Sequence, residues 1–311
     1  MDIKQMKYFI AVSERKSLAS AATVVGISQP SLSQQIKLLE HRLGVELLVR
    51  SSRGVELTEA GSVFLAHARN IIAATKVALE EVRLAGSDPV GQVVFGFPSS
   101  VSMVLSVPLA ETIRQEHPKI LFRAVEAMSG FIQEWLQKET VDLAILYDTS
   151  NLKNVHSELL LHEELHFFAG TDSWPRGIEP GQPLPLRKAS GFELVLPSKA
   201  HGLRSLIDKY CDTIGVRPNV VVEMDSLAQI KTLVARGSAA TILAPAAAND
   251  FETEGKLLSA PIVEPVIDRP AYLVRNSSAM VTRASREVEI ITRTVIDDLV
   301  RRKIWKGRQA A

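Results

Sequence analysis

The stretch Leu18–Glu40, LASAATVVGISQPSLSQQIKLLE, decides how the N-terminal part of the chain folds. Leu18, Ala21, Ala22 and Val25 fall at i, i+3, i+4 and i+7, the spacing that lines one helix face with apolar side chains. Ser17 is placed to cap the start of that helix, and Gly26 to end it in the left-handed conformation. Ser28 then caps a second helix, with Pro30 in its first turn, where a missing amide hydrogen costs little. The second helix is expected to bury Leu32, Ile36, Leu39 and Leu43. Gln34, Lys37 and His41 are left outside, with Ser31 and Ser33 on the flanks, a polar surface nearly free of acids. Two alanines let the helices cross closely, and Met6, Phe9 and Ile10 upstream supply a third helix. This is the pattern of a helix-turn-helix, whose second helix is held outward so that it fits a major groove.

Directly after it comes LGVELLVRSSRGVELT, two apolar runs around Arg50-Ser51-Ser52-Arg53-Gly54. The pattern predicts a β-hairpin, a wing whose arginines Arg50 and Arg53 would meet phosphates or the adjacent minor groove. Residues 1–57 hold eight Lys or Arg against five acids, a net of +3, whereas the whole 311-residue chain carries only +1. The basic excess thus sits in the expected DNA-binding domain. It is small enough that affinity should come from pairing copies on one duplex.

Residues 58–89 are expected to do the pairing. Leu65, Ala68, Ile72, Thr75, Leu79 and Val82 recur at alternating steps of three and four, a heptad seam that ends at the breaker Gly86-Ser87-Asp88-Pro89. A linker helix so patterned is expected to meet a second copy in an antiparallel or crossed dimer; the alternative is that it packs on its own chain.

From residue 90 the pattern changes to short apolar runs alternating with amphipathic helices: QVVFGFP, a helix near 100–115, ILFRAVE, a helix near 129–138, then VDLAILY. The alternation predicts a parallel sheet in an α/β domain. ELHFFAG, FELVLPS, NVVVEMD and AATILAP suggest a second α/β lobe at about 163–267. The chain is then expected to return through RPAYLVR and a last helix near 282–302, so that the first lobe comprises about 90–162 and 268–305. Ligands of open α/β sheets sit at the carboxyl ends of strands. That rule places Ser99, Ser100, Ser102, Ser129, Tyr147, Asp148 and Ser198 at a cleft, although a serine beside a helix start is also a common cap. Hydroxyls near helix N-termini suit a carboxylate or sulfonate, so a small organic acid is the expected ligand, with Asp148 opposing it.

The run MKYFIAVSERKSLASAATVVGISQPSLSQQIKLLEHRLGVELLVRSSRGVELTEAG resembles the N-terminal domain of LysR-type transcriptional regulators from end to end. The likeness continues through nearly the whole chain, and LAILYD with LLLHEELHFF is similar to the branch containing the nitrogen-assimilation-control regulator. The resemblance implies an α+β multi-domain chain. It would join a winged helix-turn-helix, a linker helix and a two-lobed effector domain of periplasmic-binding-protein type. It places Gln29, Ser31, Ser33, Gln34 and Lys37 at recognition-helix positions and Arg50 and Arg53 in the wing. Serine and glutamine both donate and accept, while lysine favours guanine acceptors or phosphate. The implied partners are promoter or operator DNA, a small organic, anionic effector, further copies of the chain as a homodimer or homotetramer, and RNA polymerase.

The N-terminus has no apolar core behind a basic start, and no uninterrupted run approaches a membrane span, so the cytoplasm is the expected site of action. The single Cys211 excludes an internal disulfide framework and reads as a small buried hydrophobe, with a sensor thiol as the alternative. No cofactor or metal is expected. His162-Glu163-Glu164-Leu165-His166 does match the HExxH zinc-peptidase pattern, but that chemistry needs a helix. The run into LHFFAG favours a strand, on which positions four apart are roughly 13 Å distant. A DNA-compacting architectural protein is the remaining alternative, and it would need no ligand cleft.

Overall fold

The computed structural model describes residues 1–51, 54–83 and 88–309; for residues 50, 51, 73, 76, 77, 80, 81, 83 and 309 it describes the backbone alone. Two compact units, Met1–Ser87 and Asp88–Ala311, divide the chain.

The first unit runs α1 (Ile3–Arg15), α2 (Leu18–Val25), α3 (Gln29–Leu43), β1 (Leu48–Ser51), β2 (Gly54–Leu57) and α4 (Glu59–Arg83). The side chains of Ser17 and Ser28 cap α2 and α3 by accepting the amides of Ser20 and Ser31, and Gly26 ends α2 at φ +72°. Phe9, Val12, Ala21, Leu32, Ile36 and Leu39 are fully buried and form the core. Leu43 departs from the expected stripe. At 37% exposure it sits on the last residue of α3, where Gly44 turns the chain left-handed and away from the core.

The wing is an antiparallel hairpin pairing Leu48 with Leu57 and Ser51 with Gly54. It is fastened at two points. Glu40, in the last turn of α3, accepts the amides of Leu47 and Leu48 on one oxygen at 2.9 and 3.1 Å. The carbonyl of Lys16, at the left-handed end of α1, accepts the amide of Val55. A Cβ on Gly54, whose φ is +122°, would lie 2.7 Å from that carbonyl oxygen, so only glycine lets the hairpin seat there.

Along α4 the expected seam divides. Leu65 packs on the core of the first three helices and Ala68 is fully buried, so this end of the seam is taken up by its own chain. Ile72 and Thr75 are half-buried, whereas Leu79 and Val82 are 56% and 76% exposed. The division has a simple cause: α4 begins immediately after the wing, and α1 lies across its first turns.

The second unit begins with β3 (Gly91–Phe97), α5 (Ser99–Val101), a π-helical turn at Ser102–Ser106, α6 (Val107–Glu116), β4 (Ile120–Glu126), α7 (Ser129–Gln137), β5 (Leu143–Leu146) and β6 (Val155–Glu164). It continues with β7 (His166–Gly170), β8 (Leu184–Pro185), α8 (Leu186–Ala189), β9 (Leu194–Leu196), α9 (Gly202–Thr213), β10 (Val220–Glu223), α10 (Leu227–Ala235), β11 (Thr241–Leu243), α11 (Pro245–Thr253) and β12 (Leu257–Val263). It closes with β13 (Asp268–Asn276), α12 (Arg283–Arg301) and β14 (Arg308–Gln309). The single helix expected near 100–115 is therefore interrupted. Pro108 has no amide hydrogen to give the preceding turn, and the helix widens into π geometry just before it.

The larger sheet has the order β14-β6-β13-β5-β3-β4, and it is mixed rather than parallel. Only β5, β3 and β4 run parallel; β13 lies antiparallel to both β5 and β6. The reason is topological. β6 carries the chain out of this sheet, and β13 brings it back beside the strand it left on. Phe95, Phe97, Leu105, Leu109, Val288 and Leu299 fill one face under α6 and α12, while Ile132 and Leu136 of α7 pack with Ala144, Leu146 and Val274 on the other. A second sheet, β11-β7-β12-β8, with the parallel pair β9 and β10, builds the other lobe around Phe167, Phe168, Leu196 and Ile207.

Candidate DNA-binding surface and effector cavity

The recognition surface is presented by α3. Gln29, Pro30, Ser31, Gln34 and Lys37 are exposed along it, and Leu32, Ile36 and Leu39 anchor its opposite face with no exposure at all. Ser28 is exposed but spends its hydroxyl on the cap, accepting the Ser31 amide and meeting the Ser31 hydroxyl at 2.8 Å. Ser33 is half-buried. Leu38, His41 and Arg42 are also exposed on the helix, and Leu38, at 43%, is an exposed apolar side chain that the polar reading of this face missed. The Arg50 side chain and all of Arg53 lie outside the described residues.

In the second unit a cavity of about 40 Å³ lies between the lobes. Ser99, Ser100 and Ser129 line it from the first lobe, His201 and Asp225 from the second, and Arg269 from the crossing strand β13. The caps of α5 and α7 are Pro98 and Met128, and neither helix uses a serine side chain to cap itself. The hydroxyls of Ser99 and Ser129 are therefore not spent on capping.

The other four expected cleft residues fall elsewhere. Ser102 sits in the π turn, where its carbonyl accepts the Ser106 hydroxyl. Asp148 is exposed and accepts the Ser150 amide at 2.8 Å in a local turn, which holds its carboxyl below the usual range and keeps it out of the cavity. Ser198 gives its amide to Asp225 at 2.9 Å. Tyr147 lies one layer behind the wall, its hydroxyl 2.9 Å from the Ser100 Oγ and its ring beneath the Arg269 guanidinium at 3.2 Å from the centroid.

Arg269 was missed by sequence reasoning, and it is the strongest chemical feature of the cavity. It is 5% exposed, stacks on Tyr147 and faces the Glu163 carboxylate at 3.9 Å; its guanidinium makes no hydrogen bond among the described residues. His201 complements it. Its Nδ1 accepts the Leu203 amide at the start of α9, and burial together with the Arg269 charge lowers its pKa. The neutral ring so fixed carries its hydrogen on Nε2, leaving a donor. Asp225 brings the opposite sign to the same wall, its carboxyl held low by the Ser198 amide. The only sequence signal for Arg269 is a charged residue heading the apolar run RPAYLVR.

The HExxH residues do not form a metal site. His162 and Glu163 end β6, where His162 Nδ1 meets Asp268 at 2.5 Å, and His166 opens β7, 3.5 Å from Ser259. His156, Glu158 and Glu289 do cluster, but Arg293 already binds both carboxylates. Cys211 is fully buried, as a small core residue.

Residues 3–62 match the bacterial regulatory helix-turn-helix protein, lysR family, and residues 86–293 match the LysR substrate binding domain. The nitrogen assimilation regulatory protein nac of Escherichia coli is 32% identical over 252 residues, covering 81% of each chain. Among solved structures, a hydrogen-peroxide-bound OxyR cysteine mutant of Corynebacterium glutamicum aligns with a TM-score of 0.60 at 25% identity over 96% of each chain. Full-length CbnR complexed with its target DNA shares the fold with a TM-score of 0.56 at 22% identity, over 95% of this chain and all of that one. The chain belongs to the LysR family of DNA-binding transcriptional regulators, with an N-terminal helix-turn-helix and a C-terminal effector-binding domain.

Proposed function

We propose that this regulator binds promoter DNA in the cytoplasm as a homodimer or homotetramer and answers to a small organic anion, a carboxylate by preference, held between the two lobes. The observation that carries the effector reading is Arg269: a guanidinium 5% exposed, at the wall of a cavity between the lobes, with no hydrogen bond of its own among the described residues. Burying a cation costs several kcal/mol, which a partner must offset. The long contact to Glu163 leaves room for one. The Ser99 and Ser129 hydroxyls and the His201 Nε2–H supply further donors, and Met128, Leu203, Leu227 and Ile230 supply an apolar body to the cavity. β6 and β13 cross between the lobes beside this site, so occupancy would favour one lobe angle over another and thereby the spacing of recognition helices in the oligomer. Contact with RNA polymerase belongs to this role at a promoter.

The test is titration calorimetry of the full chain against a panel of small carboxylates and sulfonates, with Arg269→Met in parallel. Binding by the wild type and a loss of tenfold or more in the variant are expected; no heat with any acid refutes the anionic effector. Dimer and tetramer are separated by sedimentation with and without operator DNA.

A further inference from the structure

Glu163 and Arg269 are directly paired neighbours on β6 and β13. The Glu163 side chain has no exposure to solvent. Its Oε1 accepts the indole N–H of Trp305 at 2.6 Å, while Oε2 has no hydrogen-bond partner among the described residues and stands 3.9 Å from Arg269. Among the described residues, Arg269 from β13, the Tyr147 hydroxyl beyond the end of β5 and the Trp305 indole from the segment after α12 face this carboxyl. Arg269 is thus shared, with a buried carboxyl behind it and the cavity in front.

A carboxylate entering that cavity would set two anions on one cation, one of them the fully buried Glu163, with Asp225 adding a third negative charge at the cavity lining. Such an arrangement is relieved when one carboxyl takes a proton. Trp305 can only donate, so Oε1 serves as its acceptor in either protonation state, and Oε2 is the atom left for the proton. We propose that Glu163 is the resident counter-charge of the effector cavity, and that a monocarboxylate is taken up together with one proton, which settles on Glu163 Oε2. The inference rests on the effector reading above. Burial already raises the Glu163 carboxyl, with Arg269 opposing it. The sign is fixed by linkage. The bound anion offsets the hold of Arg269 on the Glu163 carboxylate, so the complex binds its proton more tightly than the free protein. Affinity therefore rises as pH falls, by up to tenfold per pH unit while Glu163 titrates. A dianion brings a charge that one proton cannot cancel, so monoanions are favoured.

The test is calorimetry of the full chain with acetate and propionate at pH 6, 7 and 8, in two buffers of different ionisation heat, on wild type, Glu163→Gln and Arg269→Met. Wild type should take up close to one proton per ligand and weaken with rising pH. Glu163→Gln should bind at least tenfold tighter at pH 8 with no proton uptake. Uptake retained in Glu163→Gln places the proton on His201 and overturns the inference, as does wild-type uptake near zero at all three pH values. Should the glutamine variant fail to fold, the wild-type proton count decides alone. If neither wild type nor Glu163→Gln binds either probe, or Arg269→Met binds as well as wild type, the effector reading itself fails, and this inference with it.

Discussion

Replacing Glu40 by alanine tests how the wing is held against the recognition helix. One oxygen of this half-buried side chain accepts two amides, from Leu47 and Leu48, and both of those residues are at least 95% buried. Alanine leaves two donors at a site that water reaches poorly. At about 1–1.5 kcal/mol for each lost hydrogen bond, the N-terminal unit should lose about 2–3 kcal/mol. For a unit of this size each kcal/mol moves the melting midpoint by about 4–8 °C, so the first unit should melt about 8–24 °C lower. Glu40→Gln keeps an acceptor oxygen at the same reach and should recover most of the loss. The assay is differential scanning calorimetry of the full chain, with operator affinity measured well below the lowered midpoint. The transition of the second unit should not move. If Glu40→Ala melts within 0.5 kcal/mol of wild type, or if the glutamine and alanine variants are equally destabilised, the two amide bonds do not hold the wing.

Lys37→Ala should leave the melting curve unchanged and weaken operator binding about tenfold at low salt; if Lys37 meets phosphate, the slope of log affinity against log salt should also fall by about one per recognition helix. Unchanged affinity would remove Lys37 from the interface. Burial, reinforced by the Lys306 charge, holds His166 down to about pH 4. The unfolded imidazole takes its proton near pH 6.5. Protonation therefore favours the unfolded chain, and stability is lost as pH falls from about 6.5 towards 4, with about 2 kcal/mol gone by pH 5. Urea melts at pH 7 and pH 5 should show that loss, and His166→Gln should reduce it. Burial pushes the Cys211 thiol up to about 11, helped by Asp208 and Asp212. At pH 8 a thiol reagent should label Cys211 only as fast as the second unit unfolds, and rapid labelling of the native chain would contradict its buried position.

Legibility in the sequence followed the range over which each feature is encoded. The helix pair at 18–43 was readable because its caps, stripe and turn all lie within a few residues of each other, and the wing because two apolar runs flank a glycine. Leu43 failed at a helix end, where periodicity stops predicting burial. The apolar runs marked many of the strands but not their order. Whether β13 lies beside β6 or beside β4 depends on where the chain returns after more than a hundred residues, and local pattern holds no trace of it. The cavity shows the same divide. Ser99, Ser100 and Ser129 were legible as polar residues at strand ends, whereas Glu163 and Arg269 are 106 positions apart and become a pair only through the register of two crossing strands. Trp305 reads as one more aromatic near the C-terminus until β14 pairs with β6 and its indole meets Glu163.

The central claim is that the exposed face of α3 reads sequence, and competition binding of the purified full chain tests it most directly. Labelled promoter fragments from the chain's own genome would be challenged with unlabelled, unrelated duplex at physiological salt. At least one fragment should stay bound against a thousandfold or greater excess of competitor, as specific recognition requires, and Lys37→Ala should release it at lower excess. Equal competition by every duplex would mean that the surface holds DNA by charge alone.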